Sequence, residues 1–147
     1  MNLKEIISRN LNNSLGWRTS RKIVIFESDD WGSVRMPSRE VFFTLKNNNI
    51  PVEKSQYCKF ENLESNLDLE FLFDILVSFK DSNGNHPILT ANTVVANPNF
   101  ERIEENGFQE YHWEPFVETL KKYPNHNNVY SLYKKGIKDK IFYPQFH

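Results

Sequence analysis

Apolar positions recur along this chain in two rhythms. Three stretches are apolar almost without a break: Ile23-Val24-Ile25-Phe26, residues 87–95 (PILTANTVV) and residues 140–147 (KIFYPQFH). Runs of this length, rich in β-branched and aromatic side chains, predict strands buried on both faces, the habit of parallel sheets flanked by helices. Elsewhere the apolar residues fall three or four apart, which predicts helices. Residues 2–12 place Leu3, Ile6, Ile7 and Leu11 on one helical face. Ser38 is placed to cap a helix carrying Val41, Phe42 and Leu45, and Asn47-Asn48-Asn49 ends it. The strongest helical period starts at Ser65 and runs through Leu67, Phe71, Ile75, Leu76 and Phe79.

The remaining segments are shorter. Residues 51–64 show no period and are expected as a loop, and residues 81–85 as a turn around Gly84. A short helix is expected over 99–105, closed by Asn106-Gly107, then a brief strand over 108–113. Another helix starts at Glu114-Pro115 and carries Phe116, Val117 and Leu120. A last helix, capped by Asn127 or Asn128, carries Val129, Leu132, Tyr133 and Ile137. Strand, helices, strand, helices, strand is α/β alternation with parallel strands. No repeat, low-complexity tract or internal linker interrupts it, so residues 1–147 are expected to form one domain.

Composition narrows the partners. Net charge is −1, which gives no electrostatic footprint for nucleic acid. No apolar run approaches the roughly 20 residues needed to span a bilayer, and MNLKEIISRNLNN lacks the apolar core of a signal peptide. Cys58 is the sole cysteine, so no internal disulfide can form, and a reducing, cytoplasmic setting is expected. Aromatic residues make up 14% of the chain, which predicts an aromatic-heavy core.

Chemistry concentrates in ESDDWG, where the first strand ends. Ligands and metals bind at the carboxyl ends of strands in open α/β sheets and barrels. Asp29 and Asp30 are adjacent and repel each other, a cost that a cation or a proton offsets. One carboxylate ligating a divalent metal and the other acting as general base is the functional reading; a strand-end turn with Asp30 as a cap is the plain alternative. His147 falls at the end of the third strand, on the same expected rim, and imidazole is a common zinc ligand. Trp31 and Trp113 are the aromatic candidates for substrate contact, Trp113 also being a candidate core or rim residue. His86 and His126 are expected to be structural or solvent-facing. His112 lies at a strand-to-helix junction, and Cys58 has no partner histidine nearby in sequence.

The ESDDWG segment together with the terminal PQFH resembles the polysaccharide deacetylase family, carbohydrate esterases acting on N-acetylated sugars. The intervening residues, TANTVVANPNFERIEENGFQEYHWEPFVETLKKYP, resemble a deacetylase-like subgroup. The resemblance implies a partial (β/α) barrel of the deacetylase type and a carbohydrate substrate whose acetamido C–N bond is hydrolysed. It implies Asp29 as catalytic base, and Asp30 and His147 as ligands of a divalent metal, zinc foremost. The family's second metal histidine would fall four residues after His147, where this sequence stops, and Glu27 is the remaining candidate for a third ligand. The expectation is therefore the N-terminal half of a barrel, truncated and inactive alone.

Two other readings compete. A half-barrel leaves sheet edges and apolar faces open, which favours self-association or pairing with a complementary C-terminal fragment, without catalysis. An acidic pair after the first strand also suits a magnesium-binding phospho-acceptor domain. That fold wants an Asp at the end of the third strand, where this chain has His147.

Overall fold

The computed structural model describes residues 2–14 and 16–146, without the side chains of Asn12 and Asn13. Among these residues a three-stranded parallel sheet is built from β1 (Phe26–Trp31), β2 (Leu89–Thr93) and β5 (Phe142–Phe146), in the order β1-β2-β5. A short antiparallel pair, β3 (Ala96–Pro98) and β4 (Trp113–Pro115), stands beside it. The α/β class and the parallel strands agree with the sequence pattern. The sheet does not close into a barrel.

The first strand lies further along the chain than its apolar run suggests. Ile23, Val24 and Ile25 precede β1 and are 53–75% exposed, and Phe26 is 52% exposed. Pairing explains this. β1 is an edge strand whose neighbour β2 begins at Leu89, opposite Phe26. Two residues upstream of Leu89 stands Pro87, which has no N–H to offer a ladder. The acidic residues thus lie within the strand rather than after it, and the expected burial on two faces does not occur.

One face of the sheet is covered. Leu89, Ala91 and Thr93 alternate toward the core, which gathers Val34, Leu63, Leu69, Phe73, Leu76, Leu120, Val129, Tyr133, Ile141 and Phe142. Phe142 lies at its centre, with ring centroids 4.9 Å from Tyr133, 5.3 Å from Trp31 and 5.7 Å from Phe73. The opposite face carries Glu27, Asp29, Thr90, Asn92, Tyr143 and Gln145, mostly open to solvent.

Seven helices are found among the described residues. α1 (Leu3–Ser14) and α2 (Arg39–Asn47) fall where expected, and the Ser38 hydroxyl accepts from the Val41 amide at 3.1 Å. Residues 51–64 are not a featureless loop. They hold a 3₁₀ turn at Val52–Lys54 and α3 (Gln56–Phe60), capped by Ser55. α4 (Asn66–Ser78) opens on a full capping box between Ser65 and Asp68. Its buried face is Leu69, Phe73 and Leu76, whereas Leu67, Phe71, Ile75 and Phe79 face solvent. The period holds, but of the residues that carry it only Leu76 is buried, because α4 is apolar on both sides and periodicity alone cannot choose between them.

α5 (Phe100–Glu105) is capped by Asn99 and closed at Asn106, followed by Gly107 at φ 66°. α6 (Phe116–Lys122) and α7 (Val129–Lys138) follow. Asn128 sits at the cap position of α7 without a side-chain bond. The brief strand expected over 108–113 is shifted to β4, where it pairs with β3, Trp113 opposite Pro98.

Candidate functional site: an acidic cleft at the end of β1

The register of β1 breaks where the carboxylates stand. Ser28 pairs with Ala91 but Trp31 pairs with Thr93, so three residue steps on β1 face two on β2. This is a β-bulge, a device that re-aims side chains and recurs beside active sites. Asp30 takes the left-handed region at φ 63°, which Asp tolerates better than most residues. Gly32 follows at φ 77°, where a side chain would be strained and would also press on Phe116.

The bulge separates the two carboxylates. Asp29 turns onto the open face, where the Asn92 amide donates to its Oδ1 at 2.6 Å and to Glu27 Oε1 at 2.9 Å. One amide group thus bridges two carboxylates on the neighbouring strand. Asp30 turns toward the rim and pairs with the Arg35 guanidinium. Arg35 Nε also reaches Glu61 Oε2 at 3.0 Å, and its guanidinium lies 4.7 Å from the Tyr57 ring centroid. The cation that the acidic pair calls for is supplied by this arginine.

A cleft of about 370 Å³ opens here, lined by Ser28, Asp29, Asp30, Trp31, the 60–64 segment and Asp68. Its walls hold five carboxylates: Asp29, Asp30, Glu61, Glu64 and Asp68. Burial pushes the Glu61 carboxyl above its usual range, with Arg35 opposing and Asp30 adding to the rise. Glu64 is the deepest of the five. One of its oxygens accepts from the Tyr133 hydroxyl and the other from the Gly32 amide at 3.0 Å. Burial raises the Glu64 pKa despite those bonds, and burial together with Glu64 raises that of Tyr133. Glu64 therefore ties the turn after β1 to α7 and the core.

Behind the rim, Asn97 holds the loop that follows the turn. Its Oδ1 accepts from Val34 N at 2.9 Å and its Nδ2 donates to Gly32 O at 2.7 Å. Thr119 and Glu114 continue this buried network. His126 is buried with ring nitrogens 2.6 Å from Pro124 O and 3.1 Å from Leu63 O, a structural placement as expected. His86 Nδ1 donates to Phe79 O at 2.8 Å, and His112 Nε2 lies 2.9 Å from Asn106 Nδ2.

The residues singled out from sequence are only partly brought together. Asp29, Asp30 and Trp31 share the cleft. Trp113 is 59% exposed and lines a separate surface groove with Asn99 and Lys121. His147 lies outside the described residues; Phe146 before it pairs with Thr93, which in turn pairs with Trp31, so the three strands end on one rim. Arg35, Glu61, Glu64 and Asn92 were not singled out. Asn92 had a signal, a lone amide inside an otherwise apolar strand. The others come from loops with no periodicity.

Carboxylates are suitable donors for a divalent ion. In this arrangement, however, Asp30 is held by Arg35 and Asp29 by Asn92, and among the described residues no group of three His, Cys, Asp or Glu converges where an ion could sit. Among the described residues no helix is long and apolar enough to cross a membrane. The chain matches no protein-family model, no curated protein and no solved structure.

Proposed function

We propose that the acidic cleft belongs to a hydrolase resembling the polysaccharide deacetylases, acting on an acetamido group of a sugar. The observation that carries this reading is the bulge in β1. It sends Asp29 to the open polar face and Asp30 to the rim, so that adjacent carboxylates take different tasks at a strand end. Asp29 is the base that takes a proton from the attacking water, oriented by Asn92. Trp31 supplies an apolar wall of the cleft, and Trp113 is a more distant sugar contact. Zinc belongs to this reading through Asp30 and His147. Bound there, it would supply Lewis-acid polarisation of a carbonyl, and binding requires Arg35 to release Asp30.

The test is a zinc titration by calorimetry on the chain, on Asp30→Ala and on Arg35→Gln, followed by acetate release from N-acetylated sugar oligomers. The expected result is binding that Asp30→Ala abolishes and Arg35→Gln tightens, since the competing guanidinium is gone. Binding that is absent in all three proteins, or indifferent to both substitutions, overturns the metal assignment.

A second reading rests on the sheet itself. β1 and β5 are both edge strands, and the face bearing Glu27, Asp29, Asn92 and Gln145 is open. Two open edges on a parallel sheet favour a strand-bearing chain as partner.

A further inference from the structure

Residues 21–27, RKIVIFE, are arranged about Val24. Ile23 and Ile25 flank it evenly. A base, Arg21, stands as far before Val24 as an acid, Glu27, stands after it. A stretch with matched apolar neighbours and opposite charges at its two ends is complementary to itself when two copies run antiparallel.

The fold leaves this stretch open. β1 is an edge strand, with β2 on one side and no strand on the other among the described residues. Phe26 is the first residue of the ladder to β2, so Lys22–Ile25 lie outside it. Ile23, Val24 and Ile25 are each more than half exposed. No proline interrupts the run, and the bulge lies beyond it, between Ser28 and Trp31. An apolar strand edge of this kind is a template for another strand.

We infer that residues 21–27 of one copy pair antiparallel with the same residues of a second copy, joining the two parallel sheets edge to edge across a two-fold axis at Val24. This rests on the reading of β1 as an edge open to a strand-bearing chain, and names that chain. The side chains set the register. Residues opposite each other in a sheet share a face, so each pairs with one an even number of positions away. Centred on Val24, Arg21 stands opposite Glu27 and Ile23 opposite Ile25, each pair made twice. Centred on Ile25, Glu27 would oppose Ile23; centred on Ile23, Arg21 would oppose Ile25. Parallel pairing in register would set Arg21 on Arg21 and Glu27 on Glu27, and like charges directly opposite are destabilising. Only the Val24-centred register satisfies the apolar pairs and the charges together. The contact uses the same patch on both copies and is closed. The open polar faces that carry Asp29 and Asn92 then continue on one side of the joined sheet, and the two cores lie on the other.

Sedimentation equilibrium of the full chain at micromolar concentrations, with oxidative cross-linking, tests this. The expected wild-type mass is twice 17.5 kDa. Arg21→Glu and Glu27→Arg each set like charges opposite one another at both contacts and should weaken association roughly 10-fold or more. Both positions are exposed, so circular-dichroism melts should hardly move. An equimolar mixture of the two variants should recover association, and so should the doubly substituted chain, because each restores opposite charges at both contacts. In a Cys58→Ser background, Val24→Cys should cross-link to its own copy, since opposed Cα atoms in an antiparallel pair lie about 4.5–5.5 Å apart. Ile25→Cys should not, because its counterpart stands two residues along the partner strand, beyond about 7 Å. A synthetic peptide of residues 20–28 tests the edge without the second chain and is expected to bind and to compete with dimerisation. Self-pairing is overturned by a wild type of 17.5 kDa at every concentration, by association indifferent to the charge variants, by variants that fail to pair when mixed, or by cross-linking through Ile25→Cys rather than Val24→Cys. If the peptide still binds in any of those cases, β1 is open to a different strand; if it does not, the open-edge reading falls as well.

Discussion

Gly136 sets two physical effects against each other, and the structure decides which wins. It lies inside α7 and is buried where that helix crosses β5. Replacing glycine by alanine in a helix interior ordinarily stabilises by about 1 kcal/mol. Here the added Cβ would stand 2.6 Å from Phe142 Cβ and 2.7 Å from Phe73 Cζ. The end of the Phe73 ring can swing aside, but Phe142 Cβ is fixed to the backbone of β5. Either α7 or β5 must move, and Phe142 packs on Trp31, Phe73 and Tyr133 at once. Overpacking of this kind costs about 1–3 kcal/mol. Because the obstacle is so close to backbone, the upper part of that range applies. Gly136→Ala is then expected to lose about 1–2 kcal/mol net, a fall of roughly 3–8 °C in Tm for a chain of this size. Urea unfolding followed by tryptophan fluorescence is the assay, since Trp31 sits edge-on to Phe142 and reports this contact. A Gly136→Ala protein as stable as wild type, or more so, with an unchanged m-value, would refute the close approach of α7 to β5.

Three further outcomes follow from the cleft and its supports. Glu64→Gln keeps an oxygen for the Gly32 amide but reverses the Tyr133 bond, the amide donating where the carboxyl accepted and the hydroxyl proton losing its partner, and should cost about 1–2 kcal/mol in chemical denaturation. The folded-state pKa of Glu64 is raised by burial, so its contribution is full below its unfolded value of 4.5 and is lost as pH rises through the folded value; the stability gap between wild type and Glu64→Gln should therefore narrow over that rise, and a widening gap would contradict the buried placement. Ser65→Ala removes the hydroxyl half of the capping box of α4, keeping the backbone amide bond to Asp68, and should cost about 1 kcal/mol near neutral pH. The Ser65 backbone amide, which alanine keeps, and then the Ser65 hydroxyl lower the Asp68 pKa, so only the hydroxyl's share of that cost should disappear as pH falls through the folded-state value, below 3.8, with a pH-independent remainder from the lost Asp68 amide bond.

Much of the fold is legible in the order of residues because it is decided locally. Ser38 and Ser65 start α2 and α4 through bonds to amides three residues away, and Asn106-Gly107 closes α5 because glycine takes the left-handed turn freely. The three strands, the parallel α/β class and the acidic end of the first strand likewise come from short-range pattern. The site is legible only as two adjacent carboxylates. That they diverge depends on the bulge, which exists only because β1 pairs with β2, and that Arg35 neutralises Asp30 depends on a loop finding Glu61 across the cleft.

What the sequence determined by itself, then, is where α2 and α4 start on their serine caps, where α5 closes, and that carboxylates gather at the close of β1. The tertiary structure alone decided which face of α4 is buried, why Ile23–Ile25 stay in water, and how Glu64 joins Gly32 to Tyr133. The physical reason is range: caps and turns are satisfied within three or four residues, whereas burial and charge pairing depend on partners tens of residues away, which pattern along the chain does not specify.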